Sequence, residues 1–157
     1  MTALRQFPAI PSGAVASDAM QLAIACLGGR KLWSGSALGL FGLINRGFSI
    51  SSDGVFEDGA LVFRETLRFD DGEVQDRMWR VAETSLGLVL EADGIETIKP
   101  GRIENGALVF DYRIVMGGVA FSYRDEFRIK NGGVDNVGAA RLFGLTILTI
   151  TARGVSA

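Results

Sequence analysis

The chain has 157 residues, 48% of them apolar and 22% charged, with a net charge of −2. That balance describes one domain with a sizeable core and argues against a nucleic-acid partner, because no basic stripe accompanies the slightly acidic charge. Histidine is absent and Cys26 is the only cysteine, which excludes Ser-His-Asp and Cys-His nucleophiles, His-containing metal sites, internal disulfides and thiolate zinc clusters.

Residues 1–16, with Pro8 and Pro11, read as an extended N-terminal arm. Leu22-Ala23-Ile24-Ala25-Cys26 has a faint likeness to a lipoprotein cleavage box, but Pro8, Pro11, Gly13 and Asp18 interrupt the apolar stretch a signal peptide needs. The expectation is a cytoplasmic chain, with lipid anchoring through Cys26 as the alternative. No run reaches the ~18 apolar residues of a membrane-spanning helix, so no integral membrane segment is expected. Ser17 is a good N-cap for a short helix that ends at Gly28-Gly29, with Met20, Ala23, Ile24 and Leu27 on one face. One domain over 17–157 then carries this helix at 17–28.

From Leu32 onward the pattern is strands. Alternation places them near 32–42, 45–52, 55–58, 60–70, 73–83, 86–92, 95–103, 107–117, 119–130, 134–142 and 145–153, some of which merge or fade. Turn dipeptides such as Asp58-Gly59, Asp71-Gly72, Asn105-Gly106 and Asn131-Gly132 supply the positive φ that tight hairpins demand. No second helix interrupts, so the fold class is all-β. A meander this long is most stable closed, as an antiparallel up-and-down β-barrel of about eight to ten strands. Gly35, Gly39 and Gly42 precede no long helix and form no phosphate loop; they suit strand bending or close approach. No cofactor or metal is implied.

Three charges break the inward apolar pattern. In 61–69, Leu61, Phe63, Leu67 and Phe69 share a face with Glu65. A three-residue Asp70-Asp71-Gly72 loop sets Glu65 opposite Arg77 and Phe63 opposite Trp79; a two-residue Asp71-Gly72 turn instead sets Glu65 opposite Met78. The first register gives an internal ion pair and an aromatic pair and is preferred; Arg77→Met would then strand a buried carboxylate at ~3–5 kcal/mol. In 119–129, Asp125 shares a face with Phe121, Tyr123 and Phe127, and in 108–116 Tyr112 faces inward. Tyr112 and Asn136 are the plausible partners of Asp125. Trp33 and Arg141 either stack across the barrel base or are separate.

Glu65, Arg77, Trp79, Tyr112, Tyr123, Asp125 and Asn136 are therefore the candidate ligand-binding residues. Three readings stay open. They are a satisfied network that fixes register, a lined cavity that receives a ligand, or a desolvated carboxyl serving as general acid or base.

Read together, Leu32-Trp33-Ser34-Gly35, Asn45-Arg46-Gly47-Phe48, Glu65 through Glu73, Arg77-Met78-Trp79, Tyr112, Asp125, Asn136 and Arg141-Leu142-Phe143-Gly144 resemble a bacterial family of uncharacterised proteins, domain of unknown function 3833. The resemblance covers roughly residues 30–153 and implies a lipocalin-like (calycin) barrel. Members often look like lipoproteins, from which the interrupted N-terminal region departs. They occur beside lipid-modifying genes, which implies a fatty-acyl ligand. The leading expectation is a barrel that binds a small hydrophobic or lipid-like molecule. A histidine-free isomerase or hydrolase using interior carboxylates is the second reading, and a filled structural barrel the third.

Overall fold

Inward apolar residues at every second position carry ten strands around one closed sheet. The structure, a computed structural model, describes residues 16–116 and 118–157. The arm expected over 1–16 lies outside the described residues apart from Ala16. Helix α1 (Asp18–Leu27) leads into β1 (Gly29–Gly39), a 3-10 turn at Leu40–Gly42, β2 (Ile44–Glu57), β3 (Ala60–Phe69), β4 (Val74–Thr84) and β5 (Gly87–Glu91). Then follow β6 (Ile95–Glu104), β7 (Ala107–Met116), β8 (Val119–Lys130), β9 (Gly133–Leu142) and β10 (Leu145–Ser156). The two strands expected at 45–52 and 55–58 are one continuous β2.

Each strand pairs antiparallel with its neighbours in sequence, and β10 returns to β1, so the barrel has no free edge. Closure requires backbones to approach closely. A Cβ on Gly35 would overlap the Thr151 carbonyl and Ala152 on β10, so the residue there has to be glycine. The thinnest seam is β5 to β6, where Leu88–Gly101 is the paired position. There Pro100 lacks a ladder donor and β6 carries register shifts between Thr97 and Arg102.

Helix α1 closes one end. The Ser17 hydroxyl accepts from Met20 N at 3.2 Å as the N-cap, and Ser17 N donates to Glu83 Oε1 at 2.8 Å. Met20, Ala23, Cys26 and Leu27 are buried against the inward faces of the strands. The expected face held Ile24 rather than Cys26; a helix laid across a barrel end is enclosed over a wider stripe, so Cys26 is covered and Ile24 is partly buried. The turns at 58–59, 85–86, 105–106 and 131–132 lie at this helix end. The 3-10 turn and the turns at 70–72, 92–94 and 143–144 lie at the other, the rim end. No helix among the described residues is long and apolar enough to cross a membrane.

Burial pushes the Cys26 thiol up to about 11. In the native protein at pH near 8, it should react with an aromatic disulfide reagent orders of magnitude more slowly than in urea. Equal rates would show that α1 does not seat against the barrel.

Candidate functional site

The β3–β4 turn places the first half of the site. Phe69 N donates to Glu73 O at 2.9 Å and Gly72 N to Phe69 O at 3.0 Å, with Gly72 at φ 93°, so the loop is Asp70-Asp71-Gly72. Glu65 pairs with Arg77 and Phe63 with Trp79. The Trp79 ring stacks on Phe63 at 6.1 Å, and its Nε1 donates to Glu65 Oε1 at 2.9 Å. Arg77 stands further off. Its Nη1 is 3.9 Å from Glu65 Oε1, its side chain is 43% exposed against 13% for Glu65, and its Nη2 donates to Gln75 at 2.6 Å. The expected internal ion pair is therefore an indole–carboxylate hydrogen bond with a half-exposed guanidinium beside it. Arginine is long enough to reach water from an inward position.

The second half lies across the lumen. Tyr112 OH donates to Asp125 Oδ2 at 2.6 Å, and Asn136 Nδ2 donates to Asp125 Oδ1 at 2.9 Å and to Glu126 O at 3.1 Å. Trp79 lies edge-on to Tyr112 at 6.3 Å, and the Tyr112 and Tyr123 rings are 5.2 Å apart. The chain Glu65–Trp79–Tyr112–Asp125 thus joins β3 and β4 to β7, β8 and β9 as one polar layer.

Tyr123 is the exception within it. Its side chain is buried, the residue 8% exposed, yet its hydroxyl has no hydrogen-bond partner among the described residues. It rests against Gly138, where a Cβ would overlap the phenol oxygen. Sequence reasoning missed Gly138; the available signal was a glycine at an inward position of an alternating strand.

Burial sets the protonation of this layer. It raises Glu65, opposed by the Trp79 hydrogen bond and Arg77 and reinforced by the charge of Asp125. It raises Asp125, opposed by Asn136, Tyr112 and Arg77. Burial, with the charge of Asp125 added, also holds both tyrosines well above the ordinary phenol range, so they are donors at neutral pH.

The lumen differs on the two sides of the layer. Toward the helix, Leu61, Val81, Leu88 and Leu108 are fully buried, and Trp33 and Phe110 both meet the Phe127 ring at 6.3 Å, which fills the interior. Toward the rim, inward-facing Ile95, Ile114, Phe121 and Leu148 are partly exposed, so water enters there. Trp33 Nε1 donates to Ser52 Oγ at 3.0 Å inside the filled half, whereas Arg141 points outward near the rim. The stacking of Trp33 with Arg141 does not occur, because they lie on opposite faces and near opposite ends of the sheet.

A recess of about 820 Å³ lies on the outer wall of β1–β4, lined by outward Leu32, Arg64, Thr66, Asp76 and Met78 and reaching Glu65 and Arg77. Most of its lining residues are polar, and the polar layer lies in the lumen behind it. Among the described residues no three carboxylates or thiols converge as metal ligands.

These features define a closed, lipocalin-like antiparallel barrel, plugged by α1 at one end and with partly exposed inward residues at the other, with a polar layer between. The chain belongs to the family described as Protein of unknown function (DUF3833), matched over residues 15–152. No curated protein matches the sequence.

Two predictions test the layer. Trp79→Phe, which strands Glu65, should cost ~1–3 kcal/mol in urea denaturation. Arg77→Met should cost about 1 kcal/mol or less, because its pairing is long and solvent-screened; the reverse order would place the guanidinium inside. The second prediction concerns pH. Folding raises both carboxyls above their ordinary values of 4.5 and 3.8. Their contribution is therefore fully present below those values and lost as pH rises through the folded pKa. Glu65→Gln and Asp125→Asn should gain stability relative to wild type as pH rises from about 4 to 7. A pH-independent difference would show that the carboxyls ionise as in the unfolded chain.

Proposed function

We propose that the barrel binds one small amphipathic molecule in its rim-end half. The polar part meets Glu65, Arg77, Tyr123 and the Asp125 cluster, and the apolar part lies along Ile114, Phe121 and Leu148. The observation that carries this reading is the Tyr123 hydroxyl, a donor on a buried side chain that has no partner among the described residues and whose oxygen is open to water. Water serves that hydroxyl in the empty barrel, and a ligand acceptor that takes the water's place keeps the hydrogen bond while the apolar part of the ligand is buried. Ten strands enclose more space than the eight of barrels that hold one small ligand, and burial of side chains is greatest in the helix-end half.

The raised carboxyls support a second reading, in which the same floor transfers protons on a bound lipid-like substrate. Asp125 is the base, steadied by Tyr112 and Asn136.

Native mass spectrometry of the purified chain, followed by organic extraction, should show one acyl-bearing molecule per barrel, displaceable by a dansyl-labelled acyl probe. Tyr123→Phe should weaken probe binding roughly 3–10-fold, the equivalent of one hydrogen bond, with little change in thermal midpoint. Consumption of an added acyl ester or unsaturated acyl probe, abolished by Asp125→Asn, would favour the second reading. A barrel that retains nothing and never saturates with probe would overturn both.

A further inference from the structure

The largest exposed apolar side chains of the barrel gather at one side of its rim. Phe41 is 107% exposed, Phe143 96%, Leu43 86% and Leu145 69%. They belong to two neighbouring turns. β1 and β10 stay paired as far as Gly39–Leu148, and the 3-10 turn at Leu40–Gly42 sits against the starts of β2 and β10.

The turn chemistry sets this place apart. Asp58-Gly59, Asn105-Gly106 and Asn131-Gly132 all reach φ near 50° at their first residue with a short polar side chain, and all lie at the helix end. The β9–β10 turn has the same backbone, φ 52° then 78°, with Phe143 at the first position. Phe41 is likewise left-handed, at φ 56°. Bulky side chains seldom adopt that conformation, which favours Gly, Asn and Asp. Two aromatic rings are thus held clear of the barrel at positions where a polar residue would serve the backbone better.

The patch carries one cation free of carboxylates. Residues 36–49 and 139–149, which form the rim halves of β1, β2, β9 and β10 with the turns between them, hold Arg46 and Arg141 and no Asp or Glu. At the rim, Arg141 is exposed without an ion-pair partner among the described residues, while Arg46 is drawn to Asp71 and Glu73 at 2.7 Å each. The rim carboxylates, Asp70, Asp71, Glu73, Asp93 and Glu96, sit on the β3–β4 and β5–β6 side.

The geometry points to docking of this side of the rim on a lipid bilayer, with Phe41, Leu43, Phe143 and Leu145 inserted at the headgroup–acyl boundary and Arg141 against anionic headgroups. Projecting tips with rings free on every side need no complementary pocket in a fluid interface, whereas a protein partner would have to supply one. The acidic side of the rim then tilts away from the anionic surface. This rests on the exposed tips alone and holds whether or not the lumen carries a ligand.

The full-length chain should co-sediment with phosphatidylcholine vesicles, and more strongly when phosphatidylglycerol is included. Phe41→Ser with Phe143→Ser should reduce partitioning roughly tenfold or more with an unchanged circular dichroism spectrum. Leu86→Ser, an exposed apolar change at the helix end, should not. Arg141→Gln should remove only the gain from phosphatidylglycerol. Failure of the wild type to bind either vesicle, or equal binding by the double variant, overturns the proposal. So does a dimer in light scattering that the double variant abolishes, which would make a second copy the occupant.

Discussion

A carboxylate turned into a barrel needs a donor that turns in with it, and the polar layer depends on the hydrogen bond from Trp79 to Glu65. A pleated strand sends alternate residues to opposite faces, so a one-residue slip between β3 and β4 would put Met78 opposite Glu65 and send Arg77 and Trp79 outward. The Asp70-Asp71-Gly72 loop prevents that slip. Arg46 locks the loop from β2, pairing with Asp71 and Glu73 while its guanidinium lies 3.7 Å from the Phe69 ring centroid. A rim cation, a turn and an interior hydrogen bond are thus one constraint, because each holds only in the register that the others require.

The same layer divides the interior. Below it, the aromatic contacts of Trp33, Phe110 and Phe127 and the buried stripe of α1 make the most densely packed part of the core. Above it, the inward residues are apolar but wet. Within the layer itself the packing is close. Gly138 illustrates this, since any larger residue would press the Tyr123 phenol out of place.

Much of this was legible in the sequence wherever the information was local. Alternation and Asx-Gly turns placed the strands. The loop at 70–72 placed Glu65 against Arg77, and the inward faces of 108–116 and 119–129 brought Tyr112 within reach of Asp125. What was not legible depended on distance or depth. Periodicity assigns Arg77 to the inner face but cannot say that its charge reaches water, so the indole of Trp79, not the guanidinium, proved to be the close partner of Glu65. Nothing in sequence spacing pairs Trp33 with Phe127 across the lumen, and of the two readings left open for Trp33 and Arg141 the barrel register selects separate residues. The apolar tips escaped notice because Leu-Phe-Gly-Leu reads equally well as the end of a buried strand.

Charge within the layer limits what can enter it. Glu65 and Asp125 repel each other, and Arg77 is the cation that faces both. With both carboxyls ionised the layer has surplus negative charge in a poorly solvated space, a state that uptake of a proton relieves. An anionic head group arriving here adds like charge unless it brings a proton, so a carboxylate pays a cost that a neutral head group does not. A hydroxyl or amide meets the free Tyr123 donor and the second oxygen of Glu65, which has no partner among the described residues. For the proposed ligand, the floor would thus select by charge and the apolar walls would not, a combination suited to a neutral polar head on a hydrophobic body.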